Sequence, residues 1–239
     1  MYRIIWTSDI HLDVVESTSA LRMFYTSIQT SGAHILLIAG DISHGRKIVR
    51  HLTELERNTS LPVYFVLGNH DYDFYSIASV RSKVQSLTQQ SSSLHWLSDC
   101  GMVPLTESTV LLGHDGWYDA NFNYWSTSVH MSDFDLIRDF QTKGLLERYH
   151  LIQALAHEAL SFLDYSLSHA LVRYSHILLV THVPPFKEAS KNWGVIKNDD
   201  FLPFFCCTIL GDFLLSLMKK YSDKRMAVFC GHTHESARF

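Results

Sequence analysis

Five apolar runs in this chain each stop at an aspartate, an asparagine or a histidine. Ile4 to Ser8 stops at Asp9-Ile10-His11, and Ile35 to Ala39 stops at Gly40-Asp41. Val63 to Leu67 stops at Gly68-Asn69-His70-Asp71, Ile177 to Thr181 stops at His182, and Met226 to Cys230 stops at Gly231-His232-Thr233-His234. A short unbroken apolar run bounded by turn residues reads as a strand buried on both faces. If such strands share a sheet and a direction, their polar termini gather along the carboxyl edge, where α/β sheets bind ligands. One Asp after a strand serves as often as a helix N-cap, so the weight lies in the recurrence.

The bulk numbers narrow the class. With 239 residues and 46% hydrophobic content, the chain suits one large α/β domain with a sizeable core. Its formal net charge of −4 excludes a global basic field and disfavours nucleic acid and anionic membranes as partners. Short basic groups such as Arg46-Lys47 and Lys219-Lys220 read as solvated helix faces. Cys100, Cys206, Cys207 and Cys230 show no CxxC spacing, so neither a disulfide framework nor a thiolate metal site is indicated. Reduced thiols, no room for a signal peptide before the first strand, and no run near the roughly 20 apolar residues of a membrane span point to a cytoplasmic protein.

The order of elements is βαβαβ at the start. A helix over 17–31 carries Leu21, Phe24, Tyr25 and Ile28 at helical spacing, with Gly32 as its stop. A second helix carries Ile48, Val49, Leu52 and Leu55, with Ser43 as candidate cap. Such an order implies parallel strands joined by right-handed crossovers. After a helix over 77–87, short strand candidates at 94–97, 101–103 and 109–113 are spaced as in hairpins or a second sheet. A loop and helical segment spans about 114–150. Within it, Phe122-Asn123-Tyr124-Trp125 reads either as a loop packed on the core or as a substrate-facing wall. Helices over 132–140, 145–174 and 204–221 complete the pattern, and the whole of 1–239 reads as a single domain.

Asp9 and His11 lie two apart, and so do His232 and His234. In extended backbone, side chains at i and i+2 point the same way and can grip one ion. Carboxylate, imidazole and amide oxygen suit Mn, Fe or Zn. Asp9, His11, Asp41, Asn69, His182, His232 and His234 are too many ligands for one tetrahedral site. They fit two sites sharing a bridge, and Asp41, with two carboxylate oxygens, is the natural bridge.

These blocks, Asp9-x-His11, Gly40-Asp41, Gly68-Asn69-His70-Asp71, the lone His182, and Gly231-His232-x-His234, resemble those of the calcineurin-like metallophosphoesterases, in the same order and over nearly the whole chain. The resemblance implies a four-layer α/β/β/α sandwich. It implies that Asp9, His11 and His234 hold a first metal, that Asn69, His182 and His232 hold a second, and that Asp41 bridges them. His70 would be the catalytic imidazole, with Asp71 orienting it or lining the site; an N-cap serves equally well for Asp71. The implied reaction is hydrolysis of a small phosphomonoester or phosphodiester by a hydroxide bridging two metals roughly 3.5–4 Å apart.

The match departs from the family in two places. Protein phosphatases of this family carry GDxVDRG, whose second Asp supports the catalytic histidine; here Ser43-His44-Gly45-Arg46 follows Asp41 and that Asp is missing. The chain therefore resembles the small bacterial-type phosphohydrolases and cyclic-nucleotide phosphodiesterase-like members more. His44 and Arg46 read as surface helix residues that can approach the site, and His114 and Asp115 as outer supports of it. Only five residues follow His234, fewer than the family's closing strands need. A second copy, as in a homodimer, or a rearranged segment is then expected over the exposed sheet edge. A non-catalytic scaffold and a nuclease are the rival readings.

Overall fold

The computed structural model describes residues 2–190 and 199–234. Strands β1 (Ile4–Thr7), β2 (Ile35–Ala39), β3 (Val63–Val66) and β4 (Leu94–Trp96) form one parallel sheet in that order. Strands β5 (Val103–Pro104), β6 (Thr109–Gly113), β7 (His176–Val180) and β8 (Arg225–Phe229) form a second, with β5 antiparallel to β6 and the other pairs parallel. The five polar-ended runs therefore do not share one sheet. β1, β2 and β3 carry three of them, and β7 and β8 carry the other two. The short strand candidates also divide: β4 extends the first sheet, while β5 and β6 make a hairpin in the second.

Helices α1 (Thr18–Thr30), α2 (Ile48–Thr59) and α3 (Ile77–Thr88) form the crossovers of the first sheet. The short α4 (Leu97–Cys100), α5 (Asp133–Leu136) and α6 (Arg138–Gln141) precede the long α7 (Leu145–Arg173), and α8 (Leu202–Phe205) and α9 (Thr208–Lys220) follow β7. Side-chain alternation along β2 builds the layers. Ile35, Leu37 and Ala39 pack with Leu111 and Val180 of the second sheet. Leu36 and Ile38 face the other way, in one buried cluster with Ile28 of α1 and Leu52 and Leu55 of α2. On the far side, Leu112 and Leu179 join Leu163 and Leu167 of α7 and Leu210 and Leu214 of α9. The result is the expected α/β/β/α sandwich. Each fully buried leucine contributes about 1.5–3 kcal/mol by leaving water.

Three helix boundaries differ from the sequence expectation, each for a local reason. Ser43 does not cap α2; its hydroxyl is buried against His51 Nδ1 at 2.7 Å, and Lys47 occupies the cap position. The 132–140 helix breaks at Ile137, which is extended and fully buried. The 204–221 helix breaks at Cys206 and Cys207, because Asp119 caps a new start by accepting from the Thr208 hydroxyl (2.7 Å) and the Ile209 N–H (2.9 Å).

No helix among the described residues is long and apolar enough to cross a membrane. β1 and β8 end their sheets and lie side by side, with the rings of Trp6 and Phe229 5.4 Å apart. Residues 235–239 and any second chain, the expected cover for the edge of β8, lie outside the described residues.

Candidate metal centre

Backbone hydrogen bonds lace the loop after β1 to that after β2, and the loop after β8 to that after β7, before any side chain takes part. Asp9 N–H donates to the Gly40 carbonyl (3.0 Å) and His11 N–H to the Asp41 carbonyl (3.1 Å), while Gly231 N–H donates to the His182 carbonyl (2.9 Å). Across the sheets the His182 ring donates to the Ala39 carbonyl and the His232 N–H donates to Asp9, so both sheets deliver their ends to one rim. A Cβ on Gly68 would fall onto Asp41 Oδ1 and the His182 ring, so only glycine permits β3 to end this close to both.

At that rim two sets of side chains converge. Asp9, His11, Asp41 and His234 form one, and Asp41, His182 and His232 the other; within each set the ligand atoms lie within 4.8 Å of one another. Asn69 belongs with the second set, its Oδ1 being 3.1 Å from His182 Nε2. Asp41 is common to both. Five of these residues, Asp9, His11, Asp41, His232 and His234, have left-handed backbone with φ between 38° and 70°. That region is costly for residues other than glycine, and such outliers cluster at functional sites.

Hydrogen bonds aim the rings. His182 Nδ1–H donates to the Ala39 carbonyl (2.8 Å), which turns Nε2 toward Asp41. His232 Nε2–H donates to the Phe204 carbonyl (2.8 Å), which leaves Nδ1 as its ligand atom. Asp9 is held by the His232 N–H (2.9 Å), and Asp41 Oδ1 by the His70 N–H (2.9 Å). Asn69 is turned by Asp133, whose Oδ1 accepts from the amide Nδ2 (2.9 Å) while its Oδ2 accepts from the Tyr118 hydroxyl (2.8 Å).

The residues fit a cation pair. Asp41 is fully buried, and its Oδ2 has no hydrogen-bond partner. His182 Nε2 lies 3.3 Å from that oxygen without forming a hydrogen bond to it, and His11 Nε2, at 3.8 Å, is beyond hydrogen-bond reach. A buried carboxylate oxygen with no aligned donor, ringed by imidazoles, attracts a cation; without metal the nearest one is the His182 ring. In the protein without metal, burial would raise the Asp41 pKa, but His182, His70 and His232 hold it well below the usual carboxylate range. Burial opposes charge on His182, yet Asp41 pushes its pKa up to about 9; burial and His182 together push His232 down to about 3. His232 is thus neutral without metal, whereas His182 must release its proton for a metal to bind.

His70 stands beside this centre without joining either set. Its ring meets His11 at a centroid distance of 5.4 Å, and its Nδ1 is 3.1 Å from Asp73 Oδ2. The carboxylate that orients it is therefore Asp73 and not Asp71. Asp71 is buried beneath the loop and accepts from the Ser43 N–H and the Gly68 N–H, each at 2.8 Å. Both its oxygens are committed to backbone, so it clasps the loops after β2 and β3. It does not cap a longer helix either, since only the short turn His70–Tyr72 follows Asn69. Burial opposes the charged form of His70, but the Asp73 hydrogen bond and the charges of Asp41 and Asp133 push its pKa up to about 10.

The remaining sequence candidates are also placed. Asp115 accepts from the Leu67 N–H, Trp96 Nε1 and the Ser98 hydroxyl, each at 2.8 Å, and from the Tyr72 hydroxyl at 2.7 Å. Its carbonyl takes the His182 N–H at 3.0 Å, so it ties β3 to the loop after β7. His114 is buried against Phe162 and accepts from the Gly116 N–H, away from both ligand sets. Tyr124 is core, packed on Phe204, whose carbonyl holds His232; Trp125 is 58% exposed, its ring tilted against Tyr149. Of the aromatic stretch, Tyr124 thus supports the centre from behind, through Phe204. Sequence reading missed Asp73, Asp133 and Tyr118.

The model of the calcineurin-like phosphoesterase family matches residues 2–236. No curated protein matches the sequence at a significant level. Among solved structures, the phosphopantetheinyl hydrolase PptH from Mycobacterium tuberculosis is similar, with a TM-score of 0.69 at 16% identity over 97% of this chain and 83% of that one. A dimetal phosphatase from Danio rerio is similar with a TM-score of 0.57 at 16% identity, over 98% of this chain and 82% of that one. At such identities the structures attest the fold, and the family match adds the chemistry. The chain belongs to the calcineurin-like phosphoesterases, metal-dependent hydrolases of phosphate esters.

Proposed function

We propose that this protein hydrolyses a small phosphomonoester or phosphodiester at a dinuclear centre of Mn, Fe or Zn. The observation that carries this reading is that two converging ligand sets share Asp41, whose inner oxygen is buried and unsatisfied. Asp9, His11 and His234 would hold one ion, Asn69, His182 and His232 the other, with Asp41 between them. Bound there, the pair supplies Lewis acidity and an acidified water at neutral pH.

The chain's own groups do the rest. Asp9 and Asp41 bring −2 against +4 from two divalent ions, so the loaded site attracts phosphate. His70, protonated through Asp73, faces the developing negative charge and gives its proton to the leaving oxygen, a contribution of about 10²–10⁴-fold for a general acid. Asp133 keeps the Asn69 oxygen turned inward. The four free cysteines and the absence of a membrane-length helix among the described residues support a cytoplasmic setting.

Metal analysis of the purified protein, paired with turnover of bis-p-nitrophenyl phosphate, cyclic nucleotides and p-nitrophenyl phosphate, tests the reading. Two ions per chain and turnover of at least one of these esters are expected. A protein that binds no metal on reconstitution, or binds two and hydrolyses none, overturns it.

A further inference from the structure

Beside His70, two loops meet in a way the hydrolytic reading leaves unused. A Cβ on Gly45 would approach the Asp73 carbonyl oxygen to 2.6 Å, so the 43–46 turn lies against 71–74 only because residue 45 is glycine. That contact sets the Phe74 ring between two basic side chains. The Arg46 guanidinium lies 4.2 Å from the ring centroid, and His44 meets the ring edge-on at 5.4 Å. Phe74 has φ +70°, an outlier for a bulky side chain, and is pinned there by its N–H on the Leu136 carbonyl at 2.8 Å. The residue before it, Asp73, is the one that holds His70.

The donors are directed. His44 Nδ1 accepts the Arg46 N–H at 3.2 Å, which makes Nε2–H its free donor. Among the described residues no carboxylate pairs with Arg46; its partner is the Phe74 ring. Lys47 follows, with its Nζ 3.4 Å from the Asp13 carbonyl, and the first turn of α2 has no acidic residue. Two cations at a helix N-terminus oppose the macrodipole, and an anion relieves all three.

We infer that His44, Arg46 and the Phe74 shelf form a second oxyanion subsite, which takes a phosphate carried on the leaving group of the substrate. The preferred substrates then bear two phosphoryl groups, one at the metal centre and one at this rim. The inference rests on the proposed phosphoesterase site for the position of the first group. The aromatic shelf fixes the plane of the guanidinium, which suits bidentate recognition of an oxyanion better than a loose ammonium does.

The test is the affinity of metal-loaded protein for 4-hydroxybutylphosphonate and pentane-1,5-bisphosphonate, unhydrolysable analogues of a mono- and a bisphosphate, measured by calorimetry at fixed salt. Wild-type protein is expected to prefer the bisphosphonate by about tenfold or more, beyond the statistical factor of two for its identical ends. In Arg46→Ala the ratio should fall to about threefold or less, and Arg46→Lys should restore part of it. Arg46 is exposed, so these variants should fold; thermal unfolding confirms it. A wild-type ratio near two, or one that Arg46→Ala leaves unchanged, overturns the subsite and makes Arg46 a structural partner of Phe74. Turnover of bis-p-nitrophenyl phosphate, run alongside, separates the two readings. An Arg46-dependent ratio without turnover sinks the hydrolytic reading alone, and turnover without the ratio sinks the subsite alone.

Discussion

His70 Nδ1 lies 3.1 Å from Asp73 Oδ2, three residues on within the same tight turn. The pairing places a carboxylate against the ring that is proposed to act as the acid. Asp73→Asn should keep the turn but remove the charge that holds the proton on His70. In the metal-free protein the His70 pKa, about 10 in the native chain, should then fall, as read by NMR titration of the imidazole. In the loaded enzyme the alkaline limb of kcat against pH should move to lower pH, with kcat at neutral pH down about 10–10²-fold. An unmoved limb would take His70 out of the role of acid.

The same pair has a sign in stability. His70 is raised above its ordinary value of 6.5, so the folded state binds its proton more tightly than the unfolded chain does. Its contribution is fully present below pH about 6.5 and is lost as pH rises through about 10. Chemical denaturation of metal-free protein across that window should show stability falling for the native chain and a smaller fall for Asp73→Asn. Equal slopes would show that other groups carry the dependence.

How much of this was readable beforehand follows from where each residue sits. Asp9, Asp41, Asn69, His182 and His232 stand at the ends of apolar runs, and hydrophobic patterning marks such ends well. What patterning does not encode is the division of those runs between two sheets, because a β-strand looks the same in either. Nor does it show the left-handed backbone at Asp9, His11, Asp41, His232 and His234, since none is glycine and the surrounding fold imposes the conformation. Asp133 reads as the start of a helix, and its true partner Asn69 is 64 residues away. Asp73 was more accessible: a carboxylate three after a candidate catalytic histidine, in a turn, is a local signal.

Asp41 and His70 should part company under mutation. Asp41→Asn removes the carboxylate common to both ligand sets, so metal content by mass spectrometry and turnover should both collapse. His70→Ala should abolish turnover while keeping its metal. Chelation should lower the Tm of wild type and of His70→Ala, because bound ligand at about 100 times its Kd stabilises by about 2.7 kcal/mol. It should leave Asp41→Asn nearly unmoved. Equal metal loss in both variants would place His70 among the ligands.

Asp133 offers a graded version of that experiment. Asp133→Asn keeps size but weakens its hold on the Asn69 amide and the Tyr118 hydroxyl. Loss of such an outer contact typically costs about 10–100-fold in metal affinity. The loss should fall on one ion only, since Asp133 holds Asn69, a ligand of the second set. A titration showing both ions weakened alike would mean that Asp133 supports the fold and not one half of the centre.

Asp115 tests whether the two sheets are coupled at the rim. Its side chain satisfies the Leu67 N–H, Trp96 Nε1, the Ser98 hydroxyl and the Tyr72 hydroxyl, and its carbonyl holds the His182 N–H. Arg81 Nε lies 4.0 Å from its outer oxygen. Asp115→Ala strands several buried donors at once, each worth about 1–3 kcal/mol when left unpaired. A loss of at least about 3 kcal/mol in urea denaturation is therefore expected. Asp115→Asn keeps the shape and some acceptor capacity, so it should lose less stability. It nevertheless removes the charge from a link between the loop carrying Asn69 and the loop carrying His182. If the sheets are coupled here, Asp115→Asn should weaken the ion held by Asn69, His182 and His232 more than the ion held by Asp9, His11 and His234. Equal weakening, or none, would confine Asp115 to packing the fold.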